Sequence, residues 1–531
     1  MKRFNTTLLI ALLAVIIGVL LSSLYYGIIY PQKKFDGDYN KWRKLNLILQ
    51  EVERNYVDTI DMKSMTDAAI QAALTTLDPH STYLPPVELI ESDLELAGNF
   101  EGIGIQFNVP NDTAIVLSVI PGGPSEKAGL NKGDRIIKVD DKVIAGTETH
   151  QDSMVRLMKG PAGTKVNLVV KRNNTLIPFE IKRGKIPVNS IDAAFMLNDT
   201  TAYIKLTKFT RTTYDEFIEA KDKLLSKGMK RLIFDLRDNT GGYFDQSMYL
   251  SNEFLPKESM IVYMEGRNRK KEDYKANGKG SLQDIELSVL INEGSASSSE
   301  IFAGAIQDND RGVIVGRRSF GKGLVQEPIN FTDGSGIRLT VARFHTPSGR
   351  CIQKPYEGKA YAYDFYERYA HGELFDADSI KVDSSAVYYT LKGREVYGGG
   401  GIIPDIFVPI DTTKATSYFM QASKKSTIIR FSSYIFDKYR TKLVEIDNYP
   451  ELETYLNSLN LGSQFRTYAK NVDNISPKPG EWEETLPYLI PQLKALVGRY
   501  SKLNEEAFYR FYLPVDEAIN IALNHPSVVS Y

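Results

Sequence analysis

The spacing of apolar residues changes character along the chain, and each change marks a predicted element. Residues 4–30 carry no charge, and 8–21 are almost entirely apolar. As a helix rising about 1.5 Å per residue, 8–29 spans about 33 Å, enough for a bilayer core of about 30 Å. This predicts an uncleaved membrane anchor over residues 1–33. A cleaved signal peptide is the alternative, although Leu21-Ser22-Ser23 is a poor small-x-small cleavage site. Lys2 and Arg3 precede the run, whereas Lys33 and Lys34 after it are partly offset by Asp36 and Asp38. That bias predicts a cytoplasmic start and an exported body. From 34 to 97 the period becomes helical. Trp42, Leu45, Leu47, Ile48, Val52 and Tyr56 recur at near-helical spacing, 65–77 forms a second amphipathic run, and Asp78-Pro79-His80-Ser81 stops it. His80 lacks ligand-spaced partners and reads as a turn residue rather than a catalytic one.

Between 98 and 183 the pattern turns to short β-type runs separated by Gly, Pro, Asn and Asp: Ile103 to Phe107, Ile115 to Val119, Arg135 to Val139 and Lys165 to Val170. Pro124-Ser125-Glu126-Lys127-Ala128-Gly129-Leu130, followed by Gly133-Asp134, resembles the short helix and turn of a PDZ domain. Gly102-Ile103-Gly104-Ile105 resembles its carboxylate-binding loop. In such a loop successive backbone N–H groups cradle a terminal carboxylate, and an extended peptide adds to the neighbouring strand edge.

A β-α-β rhythm follows. Residues 201–206 read as a strand, 214–226 as a helix and 231–236 as a buried strand that ends in Asp235-Leu236-Arg237-Asp238-Asn239-Thr240-Gly241-Gly242. Loops at the carboxyl ends of such strands favour ligands. A second apolar strand, 287–291, opens into Asn292-Glu293-Gly294-Ser295-Ala296-Ser297-Ser298-Ser299-Glu300 and a helical run to Asp308. A serine hydroxyl at a helix start sits where backbone N–H groups favour developing negative charge. Residue chemistry alone leaves Ser295, Ser297, Ser298 and Ser299 as equal candidates. No Gly-x-Ser-x-Gly is present, and none of the five histidines forms an evident triad. After the strand 312–316 comes Ser319-Phe320-Gly321-Lys322-Gly323, with Gln326 four residues past the lysine. A desolvated, uncharged lysine amine can take the serine proton.

Composition narrows the class without naming the reaction. The 531 residues are 42% apolar and 25% charged, which predicts several folded domains rather than a fibre or a lone recognition module. Against 66 acidic residues stand 65 Lys and Arg, a net charge of −1 that argues against a nucleic-acid partner. Cys351 is the only cysteine, which excludes an internal disulfide framework and a multi-cysteine metal site.

With these motifs together, the chain from about 38 to 407 resembles the carboxy-terminal processing (tail-specific) serine proteases. Gly294 to Ala305, Phe320-Gly321-Lys322-Gly323 and Gln326 match their active-site signature. Leu77-Asp78-Pro79-His80-Ser81, Thr346-Pro347-Ser348-Gly349-Arg350 and Gly401-Ile402-Ile403-Pro404-Asp405 match further landmarks. The resemblance implies Ser297 as nucleophile, Lys322 as general base and Gln326 as the group that orients the lysine. It also implies an oxyanion hole from the N–H of Ser298 and of Gly241 or Gly242, with no metal or other cofactor. Ser298 stands where the family usually has alanine, and Asp238-Asn239-Thr240-Gly241 where an Asn-Asn-Pro-Gly-like turn is commoner.

The implied fold is an α/β protease core with ClpP/crotonase-like layers over 184–411 and a β-rich PDZ domain, inserted or preceding, over 98–183. A helical lead-in covers 34–97 and a mostly helical domain 412–531. A tyrosine-rich insertion at 351–397, with Tyr361, Tyr363, Tyr366 and Tyr369, reads as surface elaboration or a partner contact. In the tail, helices are expected over 428–443, 451–459, 491–503 and 505–512, with Pro491 in a first turn. The implied activity is hydrolysis of exported, unfolded or partly folded proteins near free carboxy termini. The enzyme is expected as a single-pass protein of the bacterial inner membrane with its body on the periplasmic or extracytoplasmic side, and a homo-oligomer or an adaptor protein is a further partner. The alternatives are a catalytically inactive membrane-tethered peptide-binding scaffold and an amidase acting on cell-wall peptides.

Overall fold

Strands buried on both faces organise the middle of the chain. The computed structural model describes residues 16–18, 39–356, 361, 363–412 and 415–525. In it Ile191–Met196, Thr201–Leu206, Arg231–Asp235, Glu286–Ile291, Val313–Gly316 and Ile406–Phe407 lie side by side in that order. The first pair is antiparallel and the others are parallel. Because strand side chains alternate, Leu232, Phe234, Leu287 and Val289 pack on one face with Phe217, Leu250, Phe254 and Phe302 of helices Thr213–Ser226, Phe244–Phe254 and Ser298–Asp308. Tyr203, Ile233 and Leu290 pack on the other with Leu513, Ile519 and Ala522, the last two from helix Glu517–Asn524. The chain's last described helix thus closes the core. Arg231 donates to the carbonyls of Leu523 at 2.8 Å and His525 at 2.6 Å, meeting the negative end of that helix. Arg237 pairs with Asp516 before its start at 2.7 Å.

A second, antiparallel sheet joins Thr82–Leu84, Gly336–His345, Met260–Gly266 and Arg269–Lys275, with Leu324–Asn330 also paired to Gly336–His345. Thr82–Leu84 precedes the β-rich module in the chain yet belongs to this sheet, so the module is an insertion. Strands Asn99–Gly102 and Gly184–Pro187 pair antiparallel and bring its entry and exit together. Inside it, Ile105–Asn108, Ala114–Val119, Arg135–Val139, Lys165–Arg172 and Thr175–Lys182 form one sheet, with helices Pro124–Ala128 and Gln151–Met158. Ile103, Val116, Ile136, Met154 and Leu168 fill its own core.

Six helices, from Ser417–Lys424 to Glu505–Tyr512, surround a separate apolar core after residue 416. One of them departs from expectation. Helix Glu481–Gly498 starts ten residues before Pro491 and carries both Pro487 and Pro491 inside it. Leu489, Leu493 and Val497 recur four apart on its buried face, and their burial outweighs the hydrogen bonds that the prolines remove. This region also grips the inserted module. Arg440 donates to the carbonyls of Lys132 and Gly133, each at 3.1 Å, and Arg135 pairs with Asp437.

The chain divides into two units, Met1–Ala73 and Leu74–Tyr531. The first contains helix Tyr39–Asn55, with Leu45, Leu47 and Ile48 exposed, and the start of helix Met62–Thr75. The expected membrane anchor, and with it the single-pass inner-membrane placement, is corrected here. Among the described residues no helix is long and apolar enough to cross a membrane. The run 8–29 that carried the expectation lies outside the described residues except at 16–18.

Candidate active site

The strand Glu286–Ile291 delivers the serine cluster to the start of helix Ser298–Asp308, and burial separates its four hydroxyls. Ser295 and Ser299 are 0% exposed and Ser298 1%, and each is committed to a carbonyl. Ser295 Oγ donates to Leu236 at 2.8 Å, Ser298 Oγ to Gly242 at 3.0 Å and Ser299 Oγ to Asn239 at 2.8 Å. Ser297 alone of the four is partly exposed. It also holds an unusual backbone conformation, φ 56° and ψ −114°, which costs about 1–3 kcal/mol for a residue with a Cβ. Such strain at a turn between strand and helix directs a side chain outward from the helix axis.

Opposite it lies the lysine loop, which leaves the central sheet at Gly316 and enters the second sheet at Leu324. The fully buried Glu300 carboxylate ties the two together. Its Oε2 accepts the N–H of Ser297 at 2.9 Å and of Lys322 at 2.8 Å. Its Oε1 accepts Ser319 Oγ at 2.5 Å and the Gly321 N–H at 2.7 Å. Burial pushes this carboxyl up, and those four hydrogen bonds oppose the shift. Burial also holds the Lys322 amine below the ordinary lysine range; Glu300 and Asp78 pull it back up while Arg338 adds to the lowering.

The insertion supports the same loop from behind. Arg368, 3% exposed, donates to the carbonyls of Ser319 at 3.1 Å and Arg318 at 2.7 Å, and Glu373 pairs with both Arg318 and Arg368. Lys354 lies over the Phe320 ring, 3.7 Å from its centroid. So 351–397 exposes Tyr363, Tyr366 and Tyr369 but also contributes buried charge beside the lysine loop.

The glycine turn 238–242 forms the third wall. A Cβ on Gly241 would lie 2.8 Å from Ser297 Cβ and 2.9 Å from Ser298 N, and one on Gly242 would lie 2.0 Å from the Phe209 carbonyl oxygen. Only glycine fits either position. The buried Asn239 side chain pins the turn, donating to Leu206 O at 3.0 Å and accepting the Gly241 N–H at 2.9 Å.

Ser297, Ser298, Gly241, Gly242, Lys322 and Gln326 line one cavity of about 470 Å³, whose apolar wall includes Phe244, Leu324 and Phe344. Gln326 donates its amide to the carbonyl of His80. His80 sits in a turn held by Asp78, and burial pushes its imidazole down to about 4. The loop residues Gly102, Ile103, Gly104 and Ile105 line a different cavity, about 440 Å³, with Val155 and Met158 of helix Gln151–Met158 opposite.

Glu300 and Asn239 are the functional residues that motif reading passed over. For Glu300 a signal existed: Ser297-x-x-Glu300 has capping-box spacing, which predicts a carboxylate reaching back to the serine N–H. For Asn239 the local signal covers only the bond to Gly241, an Asx-turn; its partners Leu206 and Ser299 come from two other segments.

Comparison with known proteins places the chain in a family. Peptidase family S41 matches residues 200–358, and a PDZ domain matches 102–182. The chain is 34% identical over 358 residues to the carboxy-terminal processing protease CtpA of Bacillus subtilis, covering 67% of this chain and 76% of that protein. It is 30% identical over 464 residues to a probable CtpA-like serine protease of Staphylococcus epidermidis, covering 85% and 90%. A solved photosystem II D1 C-terminal processing protease is 25% identical with a TM-score of 0.38, covering 69% of this chain and 86% of that one. The chain belongs to peptidase family S41, among the CtpA-like carboxy-terminal processing proteases that carry a PDZ domain.

Proposed function

We propose that this protein is a serine endopeptidase that cleaves unfolded or partly folded proteins near their free carboxy termini through a Ser297–Lys322 dyad. One observation carries the residue assignment: of four clustered serines, only Ser297 is accessible, and it opens on the cavity that Lys322 also lines. The unprotonated Lys322 amine takes the proton of Ser297 Oγ as the oxygen attacks the peptide carbonyl. Two N–H groups hold the resulting oxyanion. Ser298 supplies one. Gly242 is the better second donor, because the Gly241 N–H is already given to Asn239. The Lys322 ammonium then protonates the leaving amine, which departs with the carboxy-terminal fragment. Water, deprotonated by the same amine, releases the acyl group and restores Ser297.

The apolar wall suits an apolar side chain before the scissile bond. The PDZ groove holds the substrate's tail carboxylate on the loop Gly102–Ile105. Gln326 orients the lysine once its contact to His80 is exchanged. A mostly parallel sheet with helices on one face and the carboxy-terminal helix on the other supports ClpP/crotonase-like layering of the core.

Because only the free amine is a base, kcat/KM is expected to rise with pH through the pKa of Lys322 and to level off above it. Burial sets that limb below the ordinary lysine value of about 10.4. A profile of kcat/KM from pH 5 to 11 on a fluorogenic peptide measures it, and a limb at the ordinary lysine value contradicts the assignment. Mass spectrometry of the fragments of an unstructured protein tests the activity. Released carboxy-terminal pieces support it, and an intact substrate refutes it.

A further inference from the structure

One side chain belongs to both cavities. Lys208 follows the strand Thr201–Leu206, lines the catalytic cavity beside Ser297 and Lys322, and also lines the groove beside Gly102 and Gly104. Its ammonium pairs with Glu95 of helix Pro86–Leu96. That carboxylate is 71% exposed, whereas Lys208 is 28% exposed. An ion pair with one largely solvated member is weak and exchanges readily.

Its neighbour reaches the oxyanion turn. Phe209, fully buried, donates its N–H to Gly241 O at 3.0 Å, and its own carbonyl accepts the Tyr243 N–H at 2.8 Å. Phe209 and Gly242 form a parallel bridge. The backbone of Phe209 is therefore held on both sides of the glycine turn. The Phe209 carbonyl also packs where a Cβ on Gly242 would be, so this segment and the glycine turn are in close contact.

We propose that Lys208 is a second anchor for the substrate's terminal carboxylate and, through Phe209, a positioning residue for the oxyanion turn. A tail carboxylate seated on the Gly102–Ile105 loop competes with Glu95 for the ammonium. It is the better partner, since it is held by N–H groups in an apolar groove, where charge-assisted hydrogen bonds are stronger. Lys208 then turns from helix Pro86–Leu96 to the tail. Occupancy of the groove is thereby linked to the geometry of the turn that stabilises the oxyanion. This rests on the proposed roles of Ser297 and of the groove.

The test uses the full chain and two peptides identical except for a free carboxylate or a carboxamide end. The ratio of their kcat/KM values measures carboxylate recognition. Wild type is expected to favour the free acid. Lys208→Met is expected to lower the ratio about tenfold, equivalent to about 1.4 kcal/mol, with KM for the acid rising and kcat falling. Lys208→Arg, which keeps the charge, is expected to restore most of it. Glu95→Gln removes the competitor and is expected to raise the ratio. A merely structural role predicts that Lys208→Met lowers both peptides equally, and an unchanged ratio overturns the inference while leaving tail recognition intact. A wild-type ratio of one removes tail recognition and the inference together, and hydrolysis that persists in Ser297→Ala refutes the dyad instead.

Discussion

Ser297→Ala is expected to reduce kcat/KM at least about 10⁴-fold, a loss of about 5.5 kcal/mol of transition-state stabilisation. Lys322→Ala is expected to cost as much, and the double variant no more than either, because a nucleophile and its base act as a unit. Lys322→Arg is not expected to rescue, since a guanidinium keeps its proton at any working pH. The neighbouring serines give an internal control. Ser295→Ala and Ser299→Ala remove buried hydroxyls that donate to Leu236 O and Asn239 O, so they should cost stability of about 1 kcal/mol each and leave a functioning nucleophile. Steady-state kinetics on one peptide checks the activities, and denaturant unfolding checks the stabilities. Activity retained by Ser297→Ala or by Lys322→Ala contradicts the dyad.

Glu300→Ala has the second largest expected effect, although Glu300 performs no bond-making step. Its removal leaves the N–H groups of Ser297, Gly321 and Lys322 and the hydroxyl of Ser319 without their shared acceptor. At about 1–3 kcal/mol for each buried unsatisfied group, even partial relaxation leaves a loss of about 3–5 kcal/mol in unfolding free energy. Activity of the remaining folded enzyme should fall about 100-fold or more, because the nucleophile turn and the lysine loop are no longer fixed to each other. Glu300→Gln separates the two effects. It fills the same volume but turns one acceptor into a donor facing existing donors, so it should cost less stability than alanine while still lowering kcat. Denaturant unfolding and kcat measured on the same preparations decide the matter. Two variants that unfold and turn over like the wild type would show that Glu300 ties nothing together.

The legible parts of this molecule were those whose physics is local. Near-continuous apolar runs in Arg231–Asp235 and Glu286–Ile291 mark strands buried on both faces, and that burial is observed. Glycine at 241 and 242 marks a turn where backbone must approach backbone, and the distances to Phe209 and Ser297 explain why. Ser297 could not be separated from its neighbours by residue type, because the difference among the four serines lies in which hydroxyls the fold buries. Arg368 and Glu373 were equally hidden. They are charged residues in a segment that reads as surface, and they become interior only because the lysine loop offers free carbonyls to Arg368. Pro491 misled for the opposite reason: a local rule about helix starts was overridden by the apolar face of Glu481–Gly498. The amino-terminal run was read from hydropathy alone, and no membrane-crossing helix stands among the described residues.

The most direct test is the mass of the enzyme caught during turnover. With a peptide ester as substrate and an acid quench, the account predicts an added acyl mass that proteolytic mapping assigns to Ser297. The adduct should be absent from Ser297→Ala and should fail to accumulate in Lys322→Ala. An acyl group found on Ser295, Ser298 or Ser299, or hydrolysis that proceeds with no covalent intermediate, would contradict the account.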